Sequence, residues 1–143
     1  MLNHWLVWSL LSALFAGMTA ILAKVGVEGV DSNLATAIRT SVVLLFTWLL
    51  VGLSRLPIGQ TLEGIPRRTW VFLILSGLAT GLSWICYFRA LQLGPASKVA
   101  PIDKLSVIFV IALAAIFLRE PVSWQQWAGG SLILGGALIL SWS

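Results

Sequence analysis

The sequence is poor in charge. Only 10% of its 143 residues are Asp, Glu, Lys or Arg, whereas about 25% is usual for a globular domain. With 59% apolar residues and a mean hydropathy of +0.98, so few charges cannot cover a surface exposed to water. The same scarcity excludes a disordered chain and a nucleic-acid-binding protein. The net charge of +4 is typical of basic loops at a membrane surface, so the composition predicts an integral membrane protein.

Cysteine and histidine are scarce as well. Cys86 stands alone, which excludes an intrachain disulfide and a CxxC metal site. The single histidine, His4, lies near the N-terminus, where it is interpreted as an interfacial polar residue. The sequence has no nucleophile paired with a base, no cluster of His with carboxylates and no phosphate-binding loop. We therefore expect no enzyme, no metal and no other cofactor.

Long apolar runs dominate what is present. About 20 helical residues cross the hydrocarbon core of a bilayer. The sequence predicts an all-α fold, a polytopic transmembrane bundle of five helices that forms one domain over residues 1–143. The predicted spans cover residues 4–24, 33–54, 70–93, 96–118 and 122–142. Residues 55–69 contain two Pro, two Gly and three Arg, which predicts a loop outside the bilayer. A four-span alternative, with the first or fourth run peripheral, stays open.

The fourth predicted span is irregular. Its charge-free part, from Leu105 to Leu118, is too short to cross the membrane, so the helix must include residues 97–104. That stretch contains a proline and three charged residues, and we expect an irregular helix there.

Charged residues inside the spans gather toward one membrane face, opposite the N-terminus. Three interpretations remain open for them. In the first they extend to the headgroups, with Asp103 neutralising Arg39 or Lys104, and in the second they form a wet, net-positive vestibule for a carboxylate or phosphate. In the third they contact another protein. Asp103 is the acid placed within a span and is therefore the candidate proton carrier. The charged residues concerned are Arg39, Arg89, Lys98, Asp103 and Lys104.

Polar and small residues form stripes on two of the helices. Ser76, Thr80, Ser83 and Tyr87 share one face of the third helix, either as a packing seam or as a substrate path. The fifth helix carries paired glycines, which predict an oligomer contact through a flat face; they are Gly129, Gly130, Gly135 and Gly136. The predicted substrate-binding residues are Arg39, Ser83, Trp84, Tyr87, Arg89, Lys98, Asp103 and Lys104.

Three stretches follow an order and spacing known from one family. They are Ala16-Gly17…Lys24 with Asp31-Ser32…Arg39, then Tyr87-Phe88-Arg89…Pro95-Ala96-Ser97, then Arg119-Glu120…Gly135-Gly136. Together they resemble the EamA-type domain of the drug/metabolite transporter superfamily. The resemblance implies five-helix units, usually two per chain in inverted orientation, that export amino acids, other metabolites or drugs. Arg119 departs from the family pattern, which usually has Gly there, and so do Pro101, Asp103 and Lys104 in a normally apolar stretch.

The resemblance implies a transporter that needs two copies of this unit. We expect a secondary transporter, an exporter of an amino acid or another anionic or amphiphilic metabolite, working by alternating access as a homodimer in a bacterial or archaeal inner membrane. Trp84 and Tyr87 would hold an apolar part of the substrate. Without the charges embedded in the spans, the positive-inside rule favours a cytoplasmic N-terminus, and with them the bias disappears, so a single or a dual orientation stays open. We expect the two copies to be antiparallel. Two alternatives stay open: a small multidrug-resistance-like cation exporter, although the first helix has no acid, and a non-transporting membrane subunit or scaffold.

Overall fold

The computed structural model describes residues 4–142, and within that range its regular structure is entirely helical. The chain begins with α1 (His4–Gly26) and α2 (Ser32–Leu53), followed by the short α3 (Ile58–Glu63) and the long α4 (Arg67–Leu93). It continues with α5 (Ala96–Asp103), α6 (Ser106–Leu113), a π-helical segment (Ala114–Leu118) and α7 (Trp124–Trp142).

Four stretches within residues 4–142 are long and apolar enough to cross a membrane. They are His4–Gly26, Ser32–Leu53, Arg67–Leu93 and Ala96–Leu118. No more than 11% of the apolar core of any of them is buried inside the chain. So much exposed Leu, Ile, Phe and Trp would be unstable in water, whereas lipid chains cover it without penalty. The chain is therefore a multi-pass membrane protein.

The last helix, α7, is not one of these four stretches. Two glutamines and four glycines lower the mean hydropathy of its 19 residues. A fifth membrane span, at residues 122–142, therefore remains a prediction.

Gly26–Arg89 form one compact unit, which contains α2, α3 and most of α4. The carboxylate of Asp31 caps α2, because its Oδ1 accepts hydrogen bonds from the amides of Asn33 (2.9 Å) and Leu34 (3.1 Å). The predicted loop 55–69 is more ordered than expected, since it includes α3 and the start of α4. Pro57 precedes α3 at its N-cap with a φ of −72°, near the helical value, and its carbonyl accepts a bond from the amide of Thr61 (3.0 Å).

Residues 4–25 and 90–142 belong to the other compact unit, in which α5 and α6 both pack against α7. The contact is tight at the buried Gly130, where an added Cβ would lie 3.3 Å from Cδ1 of Ile111. Gly130 therefore packs within the chain. Gly129, Gly135 and Gly136 have nothing within 4 Å of a built Cβ, so of the four glycines these three remain for the predicted oligomer contact.

The fourth apolar stretch is interrupted, as its proline and charges predict. Helix α5 ends at Asp103, and α6 begins at Ser106. Between them the amides of Lys104 and Leu105 bond to carbonyls three residues back, at 3.1 and 3.0 Å, which is 3₁₀ geometry. Pro101 lacks the amide that a continuous α-helix needs, which weakens the helix just before this turn.

Candidate functional site: an arginine held by aromatic rings

Arg39 stands inside the second apolar helix. It lies about 10 Å along the helix axis from Ser32, because each residue rises about 1.5 Å. Its guanidinium carbon Cζ is 4.2 Å from the ring centroid of Trp84 and 5.4 Å from that of Phe88. Trp84 and Phe88 are four residues apart and therefore share one face of α4. Arg39 is half-buried and Phe88 is 3% exposed, so the cation is held against rings within its own compact unit.

The two rings lower the cost of an arginine in an apolar segment. Placing a charge near the bilayer centre costs about 3 kcal/mol on insertion scales. A cation over an aromatic face recovers about 1–2 kcal/mol when water is excluded. Stacking uses the flat face of the guanidinium, while its N–H donors lie in the plane of the group. Such donors bind a carboxylate or phosphate in a bidentate manner, so a ring-held arginine can still bind an anion.

Phe88 was not among the predicted site residues. The signal that could have found it is its position four residues after Trp84, on a face that also carries Gly77 and Leu91. The predicted stripe of hydroxyls runs beside this face of α4. In that stripe Thr80 Oγ1 donates to the carbonyl of Ser76 at 2.9 Å.

Hydroxyl groups on α2 behave in the same way. Thr36 donates to the carbonyl of Ser32 and Thr40 to that of Thr36, both at 2.7 Å. These protons are satisfied within the helix itself, so the hydroxyls can offer a substrate only their oxygen lone pairs.

The charges of the fourth stretch belong to the other compact unit. Asp103 Oδ2 lies 3.4 Å from Nζ of Lys104, and both side chains are exposed. The carboxylate of Asp103 thus pairs with its neighbour Lys104, one of the two partners considered from the sequence. This pair stands where α5 gives way to α6, and Lys98 is the half-buried third residue of α5.

The structure therefore brings Arg39 together with Trp84, and Asp103 together with Lys104. Of the other predicted site residues, Ser83 and Arg89 are exposed, and Tyr87 is half-buried like Lys98. Their part in substrate binding stays a prediction. Within residues 4–142 no three His, Cys, Asp or Glu side chains are grouped so that they could hold a metal ion.

The apolar helices define a multi-pass membrane protein, and one of them carries Arg39, a basic residue held against aromatic rings. The chain belongs to the EamA-like transporter family, whose model matches residues 3–142. It is 48% identical over 141 residues to an uncharacterized transporter in the cobO 3′ region of a Sinorhizobium species, and the match covers 99% of both chains.

Two further relatives differ in length and in name. A probable 4-amino-4-deoxy-L-arabinose-phosphoundecaprenol flippase subunit ArnF of Erwinia tasmaniensis is 36% identical over 106 residues, which cover 69% of this chain and 82% of the relative. An uncharacterized transporter of Methanothermobacter thermautotrophicus is 32% identical over 136 residues, which cover 92% of this chain and 37% of the relative. No solved structure matches the chain.

Proposed function

We propose that the protein is a secondary transporter that exports a small anionic or amphiphilic metabolite across a bacterial or archaeal inner membrane. The observation that carries the proposal is Arg39, a cation placed within an apolar helix and held against Trp84 and Phe88. Membership of the EamA-like transporter family supports transport over catalysis. In this function Arg39 binds the anionic group of the substrate. The roles of Arg89, Lys98 and Lys104 in attracting that group are predictions from the sequence alone.

The ring contacts favour an anion over a cationic drug. Aromatic faces inside a membrane are the groups that attract organic cations. In α4 the faces of Trp84 and Phe88 are already in contact with the guanidinium of Arg39. A cationic substrate would have to displace this charge or approach it, and like charges repel strongly in a medium of low dielectric constant.

The working unit in this proposal is a homodimer of two five-helix chains in antiparallel orientation. The match covers only 37% of the longer methanogen relative, which leaves room in that relative for a second unit of this size. The open glycine face of α7, with Gly129 and Gly136 one above the other, offers a surface on which a second copy could pack closely. Alternating access would then move a shared pocket between the two membrane faces.

A second candidate substrate is a lipid-linked phosphate. The relative from Erwinia tasmaniensis is named as a flippase subunit for a sugar carried on phosphoundecaprenol. A phosphate of that kind is an oxyanion to which the donors of an arginine are suited. In this case the chain would act as a flippase subunit, and Arg39 would hold the phosphate.

Reconstituted proteoliposomes test the proposal. The purified chain is assayed with a radiolabelled panel of L-amino acids and glycerol 3-phosphate, and separately with a fluorescent polyprenyl phosphate in a flipping assay. We expect Arg39→Ala to reduce the flux at least about tenfold, because one charge-assisted contact contributes about 1.5–3 kcal/mol. Asp103→Asn should remove the dependence of the flux on a proton gradient.

Arg67→Ala is the matched control, since it removes an arginine at the start of α4. Equal flux in the wild type, Arg39→Ala and Asp103→Asn would contradict the assignment of the site. Flipping of the polyprenyl phosphate without flux of any soluble metabolite would favour the second candidate.

A further inference from the structure

Lys24, near the end of α1, contacts a distant part of the chain. Its ammonium Nζ donates hydrogen bonds to the carbonyl of Leu91 at 2.6 Å and to that of Gly94 at 3.1 Å. The acceptors are 67 and 70 residues away in the sequence, in the same compact unit as Lys24. Leu91 is completely buried, and Ala23, next to Lys24, is buried as well. The contact is thus a packed link between α1 and the end of α4.

The two carbonyls are groups that need a donor. The last carbonyls of a helix have no partner within that helix, and they form the negative end of its dipole. Leu91 is completely buried, so a side-chain donor has to take the place of water at this helix end. An ammonium has three N–H donors and a full positive charge, so Lys24 satisfies both carbonyls and neutralises the end of α4.

The carbonyl of Gly94, which accepts a bond from Lys24, lies two residues before the first residue of α5. The amide of Gly94 bonds to the carbonyl of Ala90 at 2.8 Å, so the turn is tight. Pro95 follows at once, and its carbonyl accepts bonds from the amides of Lys98 (3.0 Å) and Val99 (3.1 Å). A shift of the Gly94 carbonyl would therefore move the first turn of α5, which carries Lys98.

We propose that Lys24 is a positioning residue for anion binding. Its ammonium acts through the carbonyls of Leu91 and Gly94 and holds the turn between α4 and α5, so that Lys98 stands where it can attract the substrate. The inference rests on the proposed function, in which Lys98 has that role. Lys24 itself does not contact the substrate in this scheme.

Hydrogen exchange tests the structural step without any substrate. The full chain in lipid nanodiscs is compared with Lys24→Met, which keeps the length of the side chain and removes its donors, and with Lys24→Arg, which keeps donors and charge. We expect amides of residues 92–99 to exchange at least about tenfold faster in Lys24→Met, because two hydrogen bonds to a charged group are lost. Amides of α7 should be unchanged, and Lys24→Arg should restore most of the protection. Equal exchange of residues 92–99 in Lys24→Met and the wild type would overturn the proposal.

A double-mutant cycle tests the functional step. For the panel member that the wild type moves fastest, we expect Lys24→Met and Lys98→Met each to raise the KM about tenfold, with kcat within about twofold. The KM of the double variant should be no higher than that of the more impaired single variant, because both changes remove the same anion contact. The proposal would be overturned if the rise in KM of the double variant equalled the product of the two single rises, or if the KM of Lys24→Met were unchanged. If the wild type moves nothing in the panel, the proposed function fails. Faster exchange in Lys24→Met would then still show that Lys24 holds the turn between α4 and α5. Without anion transport, however, the role of Lys24 in positioning Lys98 for the substrate would be overturned.

Discussion

Arg39 is a residue whose charge is stabilised by rings. Its guanidinium carbon Cζ lies 4.2 Å from the ring centroid of Trp84 and 5.4 Å from that of Phe88. The two rings therefore stabilise the charge within the apolar helix when no substrate is bound. In the proposed function, this arrangement would keep the positive group inside an apolar helix during the part of the transport cycle when no anion is bound.

The first prediction concerns the strength of this contact. In a double-mutant cycle of Arg39→Met and Trp84→Leu, we expect a coupling of about 1–2 kcal/mol in the free energy of unfolding. The measurement is reversible unfolding of the purified chain in mixed micelles. Trp48→Leu serves as the control, because within residues 4–142 no cation lies over that ring. A coupling between Arg39 and Trp84 as small as that between Arg39 and Trp48 would contradict the ring contact.

A second prediction concerns Arg119, which follows the π-helical segment with a φ of 54°. This left-handed conformation costs a side chain about 1–2 kcal/mol, whereas glycine adopts it freely. The family resemblance implies Gly at this position, and the left-handed backbone gives that expectation a physical reason. We expect Arg119→Gly to raise the stability by about 0.5–1 kcal/mol, seen as an increase of about 2–4 °C in Tm.

Arg68→Gly is the matched control for Arg119→Gly, because it removes the same charge from a helical position in α4. There glycine should lower the stability, since it is a poor helix former. The interpretation of Arg119 fails if both glycine variants lower the Tm.

At the scale of elements, α7 has two different glycine faces. Gly130 packs against Ile111 of α6, whereas Gly136 has open space around it. We expect Gly130→Val to destabilise the chain by about 1–3 kcal/mol, because the added atoms meet Ile111 and force a shift in the packed contact. Gly136→Val should leave the unfolding of the single chain nearly unchanged and weaken the proposed dimer, as measured by cross-linking in native membranes. An equal loss of stability in both variants would contradict the difference between the faces.

The elements also show what the sequence could predict. Long apolar runs locate α1, α2 and α4, because the hydrocarbon core imposes a minimum length on a span. Pro101 with the charges at Asp103 and Lys104 marks an irregular fourth stretch. Helix α3 was missed, because a six-residue helix between prolines leaves no periodic pattern to read.

The site could be predicted only in part. A charged residue in an apolar run identifies Arg39, and composition alone is enough for that. Its contact with Phe88 depends on how α2 packs beside α4, which no local pattern encodes. The link between Lys24 and Leu91 is similar, since backbone carbonyls have no signature in the sequence.

At the scale of the whole molecule, we predict that chains insert in both orientations. In the predicted five-span topology the basic residues are divided between the two faces when those within the spans are counted, and the positive-inside rule then gives little bias. In a Cys86→Ser background, a cysteine in place of Gln60 in α3 is labelled with a membrane-impermeant maleimide in intact cells. We expect roughly half of the chains to react before lysis and the rest only after it. Labelling of all chains, or of none, before lysis would contradict the antiparallel dimer.

The contacts of Lys24 have a consequence for the order of synthesis. The hydroxyls of Thr36 and Thr40 find acceptors within their own helix, so these residues are satisfied as soon as that helix forms. Lys24 can form its bond only when the carbonyl of Leu91 is present, and Leu91 is synthesised 67 residues later. At about 5–20 residues per second, this delay is roughly 3–13 s. During that interval the ammonium has to remain at the membrane surface or inside the insertion machinery, so α1 can settle at its final depth only after α4 has been completed.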